Sequence, residues 1–293
     1  MQTIALVNDH RWLAAPTDLH QREVAMEDQL LIDAFAKRGV HAIRVDWAGG
    51  VDWGQFDAAI VRQTWDYFDR LPDFAQWVSE VSQSTRLINP PEVLRWNWDK
   101  RYLLDLIAQE LPTVATERVR RDDHSKTLSQ HMESNGWAEV VIKPAVSASG
   151  YETHRLSRQQ APSQHHMWAR LVAGHDMLIQ PFQHSIIDHG EISLMVVGGR
   201  VSHAVRKTAK QGEFRVQSDH GGRVESYQPQ SVEIALAEAA MQTAPLPCCY
   251  GRVDLVASDA GPLIMELELI EPELFFRLEP KAADALVDAV LAC

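Results

Sequence analysis

Two extended runs near the end of the chain alternate charge with apolar side chains: Arg252-Val253-Asp254-Leu255-Val256 and Met265-Glu266-Leu267-Glu268-Leu269-Ile270-Glu271-Pro272. Residues two apart on a strand share a face, so Glu266 and Glu268 point the same way. A short turn, Ser258 to Gly261, folds the first run back beside the second. Asp254 then joins both glutamates on one side of an antiparallel pair. Like charges so placed repel, and burial sharpens the conflict. A hard divalent cation answers it, because Mg²⁺ takes carboxylate oxygens and substrate phosphates together. The competing reading is a strand with a solvated polar face, which Leu267 and Leu269 on the opposite side also fit.

The rest of the pattern is that of an α/β chain. Residues 3–8, 40–45, 57–61 and 86–88 read as strands, separated by helical periodicity over 24–38 and 72–82, with Gly39 as a C-terminal cap. Strand, helix, strand in that order implies a parallel α/β unit, ending near Pro90-Pro91. A second segment begins at Asn97, the expected N-cap of a helix over about 98–109. Strands follow at 114–119, 138–142 and 177–181, with helices near 123–135 and 164–172. Residues 192–197 and 200–205 form a hairpin across Gly198-Gly199. A helix at 231–243, the two charged strands and a terminal helix near 280–291 complete the chain. It contains no internal repeat and no low-complexity tract.

Three further constellations precede the acidic strands. Lys143-Pro144-Ala145-Val146-Ser147-Ala148-Ser149-Gly150 delivers a lysine from a strand into a loop of small residues, whose N–H groups and hydroxyls can approach an anion. A lysine before an ordinary surface turn is the bland alternative. Leu178-Ile179-Gln180-Pro181-Phe182 is an extended segment broken by proline, which leaves carbonyls and the Gln180 amide open to a planar base. Asp188, Gly190 and Glu191 follow it. Arg206, Lys207, Lys210 and Arg215 crowd four positive charges into ten residues just after the hairpin; Arg206, at the strand end, is the candidate for binding phosphate or carboxylate.

Composition excludes several classes. A net charge of −12 argues against a nucleic-acid partner. No apolar run approaches the ~18 residues of a membrane span, and MQTIALVNDH reads as a first strand instead of a signal peptide. Cys248 and Cys249 are adjacent and Cys293 is terminal, so a disulfide framework is not expected and a reduced, cytoplasmic setting is. G-x-S-x-G, H-E-x-x-H and C-x-x-C are absent, and the thirteen histidines show no metal spacing.

In order and spacing, these elements resemble the ATP-grasp superfamily, in the branch near bacterial glutathione synthetase, across residues 97 to 275. With Arg62-Gln63-Thr64-Trp65-Asp66-Tyr67 upstream, the Glu266–Pro272 motif is similar to cycloserine-synthetase-like proteins, which cyclise O-ureido-serine. The resemblance implies an N-terminal parallel α/β domain (1–96), a small lid subdomain (97–180) and a mixed or antiparallel C-terminal core (181–293). It implies that Lys100 and Lys143 hold ATP phosphates, that Ser147, Ser149 and Gly150 form a mobile loop, that Gln180 and Phe182 meet the adenine and Glu191 the ribose. Asp254, Glu266 and Glu268 would bind Mg²⁺, and Arg206 would act with Lys143 on the transferred phosphoryl group. One departure stands out: glutathione synthetases commonly carry Glu-x-Asn where this chain has Glu266-x-Glu268.

The implied activity is an ATP- and Mg²⁺-dependent ligase or cyclo-ligase acting on a small amino-acid-like carboxylate through an acyl phosphate. A peptide or protein-tail ligase and a non-catalytic nucleotide-binding regulator are the alternatives. Substrate candidates cluster at strand ends: Asp9 after the first strand, Arg62 as a bidentate carboxylate holder, Trp65 as a wall, and Arg215 and Glu271. The resemblance also implies a homo-oligomer, dimer or tetramer.

Overall fold

The computed structural model describes residues 2–210, 213, 216 and 221–292. Arg215 lies outside them. The first 90 residues build a four-stranded parallel sheet from β1 (Thr3–Asn8), β2 (His41–Asp46), β3 (Ala58–Val61) and β4 (Arg86–Ile88), in the order β2-β1-β3-β4. Helices α1 (Leu19–Ala36) and α2 (Leu71–Val81) make crossovers between them. The strands β1 and β3 are apolar without alternation because both of their faces are covered. Asp18 starts α1 by accepting a hydrogen bond from the Gln21 N–H at 2.8 Å, and Gly39, at φ +71°, follows its end.

Where one helix was expected over 98–109, the chain makes two: α3 (Pro91–Asn97) and α4 (Tyr102–Ala108). Asn97 is therefore the last residue of a helix and not an N-cap. Its buried amide is used elsewhere, as described below.

A second sheet, antiparallel, joins β5 (Glu117–Val119), β6 (Glu139–Pro144), β7 (His154–Ser157) and β8 (Met177–Pro181) in the order β5-β8-β6-β7. Helices α5 (Leu128–Ser134) and α6 (His165–Gly174) pack on it through Leu128, Met132, Trp168 and Leu171. After the short α7 (Ser185–His189) comes the third sheet. Its strands are β9 (Glu191–Val197), β10 (Arg200–Thr208), β11 (Arg223–Tyr227), β12 (Tyr250–Ser258) and β13 (Gly261–Glu268), ordered β11-β10-β9-β12-β13. Helix α8 (Ser231–Met241) lies between β11 and β12, and α9 (Lys281–Ala292) closes the described chain. The strand β7, the strand β11 and the helix α7 had no expectation from sequence.

Both faces of the third sheet are covered, but unequally. Leu194, Val196, Val253 and Leu267 pack against Leu103 and Leu106 of α4 and Leu236 and Ala240 of α8. On the other face Met195, Val205 and Tyr250 meet Leu31 and Phe35 of α1 and Leu286 and Val290 of α9. Each such side chain contributes about 1.5–3 kcal/mol on burial. That second apolar face ends partway along the strands. Beyond it the same face carries charge.

Strand β13 is an edge, and an open edge invites foreign pairing. Asn97 occupies it like a short strand: its Nδ2 donates to the Leu267 carbonyl at 2.8 Å and its Oδ1 accepts from the Leu269 N–H at 2.7 Å. Asn89 does the same work nearby, donating to the Tyr250 and Leu269 carbonyls at 2.8 and 2.9 Å.

Arg62 is fully buried, with Nη2 3.2 Å from Glu27, Nε 3.5 Å from Asp28 and Nη1 donating to the Pro272 carbonyl. Glu27 in turn accepts the N–H groups of Leu274 and Phe276 at 3.0 and 2.9 Å. The expected carboxylate-holding role of Arg62 is thus overturned: its carboxylates are internal, and it locks α1 to the segment after β13. No described helix is long and apolar enough to cross a membrane.

Breaking a buried charge network from one side leaves a stranded charge. Arg62→Leu should therefore destabilise the protein by about 3–5 kcal/mol in urea unfolding; an unchanged midpoint would show that the network is dispensable.

Candidate active site

One cavity of about 480 Å³ lies where the three sheets converge. The charged end of the third sheet supplies its floor. Lys143 at the end of β6, Gln180 on β8 and Phe182 form a second side, closed by the 147–150 loop. Trp12 and Trp65, from loops after β1 and β3, form the third with Glu271.

The floor is a lattice of alternating charge. Register places Asp254 opposite Glu266 and Arg252 opposite Glu268, while β9 sets Ser193 beside Asp254 and β10 sets Lys207 beside Glu191. Lys207 Nζ lies 2.5 Å from Glu191 and 3.2 Å from Asp254. Arg252 reaches Asp254 at 2.9 Å and pairs also with Glu268. Lys100 Nζ contacts Glu266 at 2.9 Å and donates to the Ser147 carbonyl at 2.6 Å. Oxygens of Asp254, Glu266 and Glu268 all fall within 4.8 Å of one another, close enough to share a metal ion.

Local charges separate the behaviour of these acids. Burial works to raise Glu266, but Lys100 and Lys143 outweigh it and hold the carboxyl down at about 2. For Asp254 burial is likewise overcome, here by Arg252 and Lys207, and its pKa is depressed. Burial wins at Glu268, which is pushed up to about 7 despite Arg252, with Asp254 and Glu266 adding to the rise. Lys143 is lowered, chiefly by burial.

Within the cavity wall, six charged residues are buried: Lys143, Glu191, Lys207, Arg252, Asp254 and Glu271. Four of them pair with one another. Among the described residues, Lys143 and Glu271 have no ion pair. The loop after Lys143 is held tightly, with Ser147 Oγ donating to the Pro144 carbonyl, and it turns through positive φ at Ser149 (49°) and Gly150 (69°). On the next wall the Gln180 amide nitrogen donates to Thr116 Oγ1 at 2.9 Å, which leaves its carbonyl oxygen as the acceptor. The Arg155 guanidinium lies 3.7 Å from the Phe182 ring centroid, fixed by Glu139.

The structure brings Lys100, Lys143, Ser147, Ser149, Gly150, Gln180, Phe182, Glu191, Asp254, Glu266, Glu268, Trp65 and Glu271 around this one space. It corrects others. Arg206 faces away from the cavity, its guanidinium 4.6 Å from the Tyr227 ring; the inward residue is its neighbour, Lys207. The cause is a β-bulge between Val201 and His203, which shifts the alternation by one residue. Asp9 is fully buried, capping the turn at His10–Trp12 and pairing with Arg11, so Arg11 and not Asp9 reaches the cavity. Glu191 lines the cavity and is paired there with Lys207 within the charged floor. Arg215 lies outside the described residues. Sequence reading missed Lys207, the counter-charge role of Arg252, and the wall formed by Trp12 and His20. Lys207 stood in the cationic stretch already singled out; Trp12 and His20 had no distinguishing pattern.

Comparison with known proteins places this geometry. Residues 98–273 match the RimK-like ATP-grasp domain, and residues 4–89 match the N-terminal domain of D-cycloserine synthetase DcsG. The chain is 32% identical to the cycloserine biosynthesis protein DcsG of Streptomyces lavendulae over 89% of this chain and 92% of that one. It is 31% identical to the "Probable alpha-L-glutamate ligase" of Legionella pneumophila strain Corby, over 76% and 72% of the two chains. The crystal structure of D-cycloserine synthetase DcsG superposes with a TM-score of 0.86 at 30% identity, covering 99% of each chain.

The register assignment has a direct thermodynamic consequence. Lys207→Met strands Glu191 and Asp254 and should destabilise by about 3–5 kcal/mol, whereas Arg206→Met should cost about 1 kcal/mol or less. Urea unfolding of both variants checks the order; the reverse order would refute the bulge-shifted register.

Proposed function

The chain belongs to the RimK-like ATP-grasp family and is a ligase, and from that premise we propose that it activates a small amino-acid-like carboxylate as an acyl phosphate. A nitrogen nucleophile, on a second molecule or on the same one, then displaces the phosphate. The observation that carries this reading is the convergence of Lys100, Lys143, Asp254, Glu266 and Glu268 on a cavity whose far wall comes from the N-terminal sheet.

Family members use ATP with a divalent metal, and the donor set fits Mg²⁺. Three carboxylates with mutually close oxygens are the hard, oxygen-only environment that this cation prefers, with phosphates filling its remaining positions. When bound, metal and nucleotide together supply the transferable phosphoryl group and much of the charge that stabilises its transfer.

The protein's own residues do the positioning. Lys143, buried and without an ion pair among the described residues, is placed to meet phosphate oxygens. Lys100 links Glu266 to the 147–150 loop, so phosphates and carboxylates are held in one frame. Ser147, Ser149 and Gly150 present small side chains through which backbone N–H groups can approach an anion. The Gln180 carbonyl oxygen and the clamped Phe182 ring offer a polar and a flat contact for the adenine. Lys207 takes the place proposed for Arg206, facing the site of phosphoryl transfer beside Asp254. An acyl phosphate reacts with water, so closure by the loop and the tryptophan wall protects it.

The N-terminal wall favours a small substrate over a peptide tail. Trp12, Trp65 and the 271–275 segment fill the side on which an open groove would run.

Glu266→Gln should keep the fold while lowering ADP formation about 100-fold or more, measured by coupled assay with Mg²⁺ and candidate acids. Wild-type turnover in the variant would sink the metal assignment. Hydroxylamine added to the wild-type reaction should intercept the activated acid as a hydroxamate, read colorimetrically with ferric ion; ADP release with a turned-over acid and no hydroxamate would rule out a free-standing acyl phosphate.

A further inference from the structure

Glu271 is 8% exposed and lines the cavity, yet among the described residues it makes no salt bridge and no side-chain hydrogen bond to another residue. The acids beside it in the chain are matched: Glu266 with Lys100, Glu268 with Arg252, and Glu273 with Arg277. A buried carboxyl without a partner is unfavourable by several kcal/mol in principle and persists where something outside the protein completes it. Its situation shows in its acidity too. Burial, then the charge of Glu268, pushes it up to about 8.

The groups beside Glu271 narrow what completes it. Trp65 Nε1 donates to the Glu271 backbone carbonyl at 2.9 Å, which ties an indole to this residue's main chain. Trp12 packs edge-on against Trp65 at 4.8 Å and an interplanar angle of 86°, and His20 lies parallel to Trp65 at 6.3 Å. Indole faces attract cations and repel anions. Trp12, Trp65 and Glu271 all line the cavity, so a carboxyl and two electron-rich rings share its lining.

Resting on the ligase reading above, we infer that Glu271, backed by Trp65 and Trp12, is the specificity-determining residue that binds a positively charged nitrogen of the substrate and rejects acids that lack one. Its counterpart is Lys143, which also lines the cavity: among the described residues, the buried lining leaves one cation and one carboxyl without an ion pair, a match to an occupant that carries both an anionic and a cationic group.

The test compares paired probes that differ only in the amino group: glutamate against glutarate, and serine against 3-hydroxypropionate. ADP release is measured with Mg²⁺, ATP and hydroxylamine as nucleophile, for wild type and for Glu271→Gln. Wild type should prefer the aminated member of a pair it turns over, and Glu271→Gln should lose roughly 10–100-fold of that preference in kcat/KM. The ligand-free variant should also unfold about 2–4 °C higher than wild type near neutral pH, since this carboxyl, ionised in the unfolded chain, must otherwise take up a proton to fold. A variant that keeps the preference, or whose ligand-free form unfolds at a lower temperature, overturns the assignment while leaving the ligase reading intact. Absence of ADP release with all four acids, despite binding of Mg²⁺-ATP, overturns the ligase reading and this inference with it.

Discussion

Everything in the cavity depends on the alternation of sign across the third sheet. Four acids and two cations project from neighbouring strands of one face, and the register sets them in the sequence Glu191, Lys207, Asp254, Arg252, Glu268, with Glu266 closing on Lys100 from outside the sheet. Isolated in a protein interior, any of these charges would be too costly to keep. Interleaved, each is the other's solvent. A slip of one residue in β10 or β13 would exchange these side chains for the apolar ones on the opposite face. The bulges in β10 and between β12 and β13 are consequently part of the site and not irregularities of the sheet.

A lattice of this kind needs its outermost strand fixed, and the fixing comes from distant parts of the chain. Asn97 and Asn89 saturate the backbone along and just beyond β13. Tyr250 Oη donates to the Val61 carbonyl, with the Ile270 carbonyl at 3.0 Å, and so joins the first sheet to the segment that follows β13. Arg62, Glu27 and Asp28 complete that junction from below. The N-terminal sheet thus holds the wall containing Trp65 and Glu271 at a set distance from the charged floor. A rigid scaffold that positions loop residues is the usual way to obtain sub-ångström placement of reacting groups.

How much of this the sequence discloses follows from the range of the interactions involved. Strand alternation is local, so Glu266 and Glu268 on one face, and Asp254 beside them, could be read directly; most strands were placed within a residue or two for the same reason. Arg206 and Lys207 show the limit. Counting every second residue from the Gly198-Gly199 turn leads to 206, and only the bulge, which nothing in Val201-Ser202-His203 announces, moves the inward position to 207. Arg62 shows another limit, since its partners sit 34 and 35 positions away. A signal did exist there: Glu27 and Asp28 fall on the inward face of α1 with Val24 and Leu31, where acids require a buried partner. Asn97 sat before a helical pattern and so read as a cap, but side-chain amides also satisfy strand edges, and only the tertiary arrangement says which.

The distribution of unpaired charge separates scaffold from site in this protein. Arg62 is fully buried outside the cavity and is answered by Glu27 and Asp28 of the same chain. That cluster holds the fold and does not touch the cavity. Lys143 and Glu271 are buried in the cavity wall and, among the described residues, have no ion pair. Stability alone would have neutralised both, by an exchange of a single side chain each. Their retention in a buried lining whose other described charges are paired is the feature that marks the cavity as built around an occupant and not merely left between three sheets.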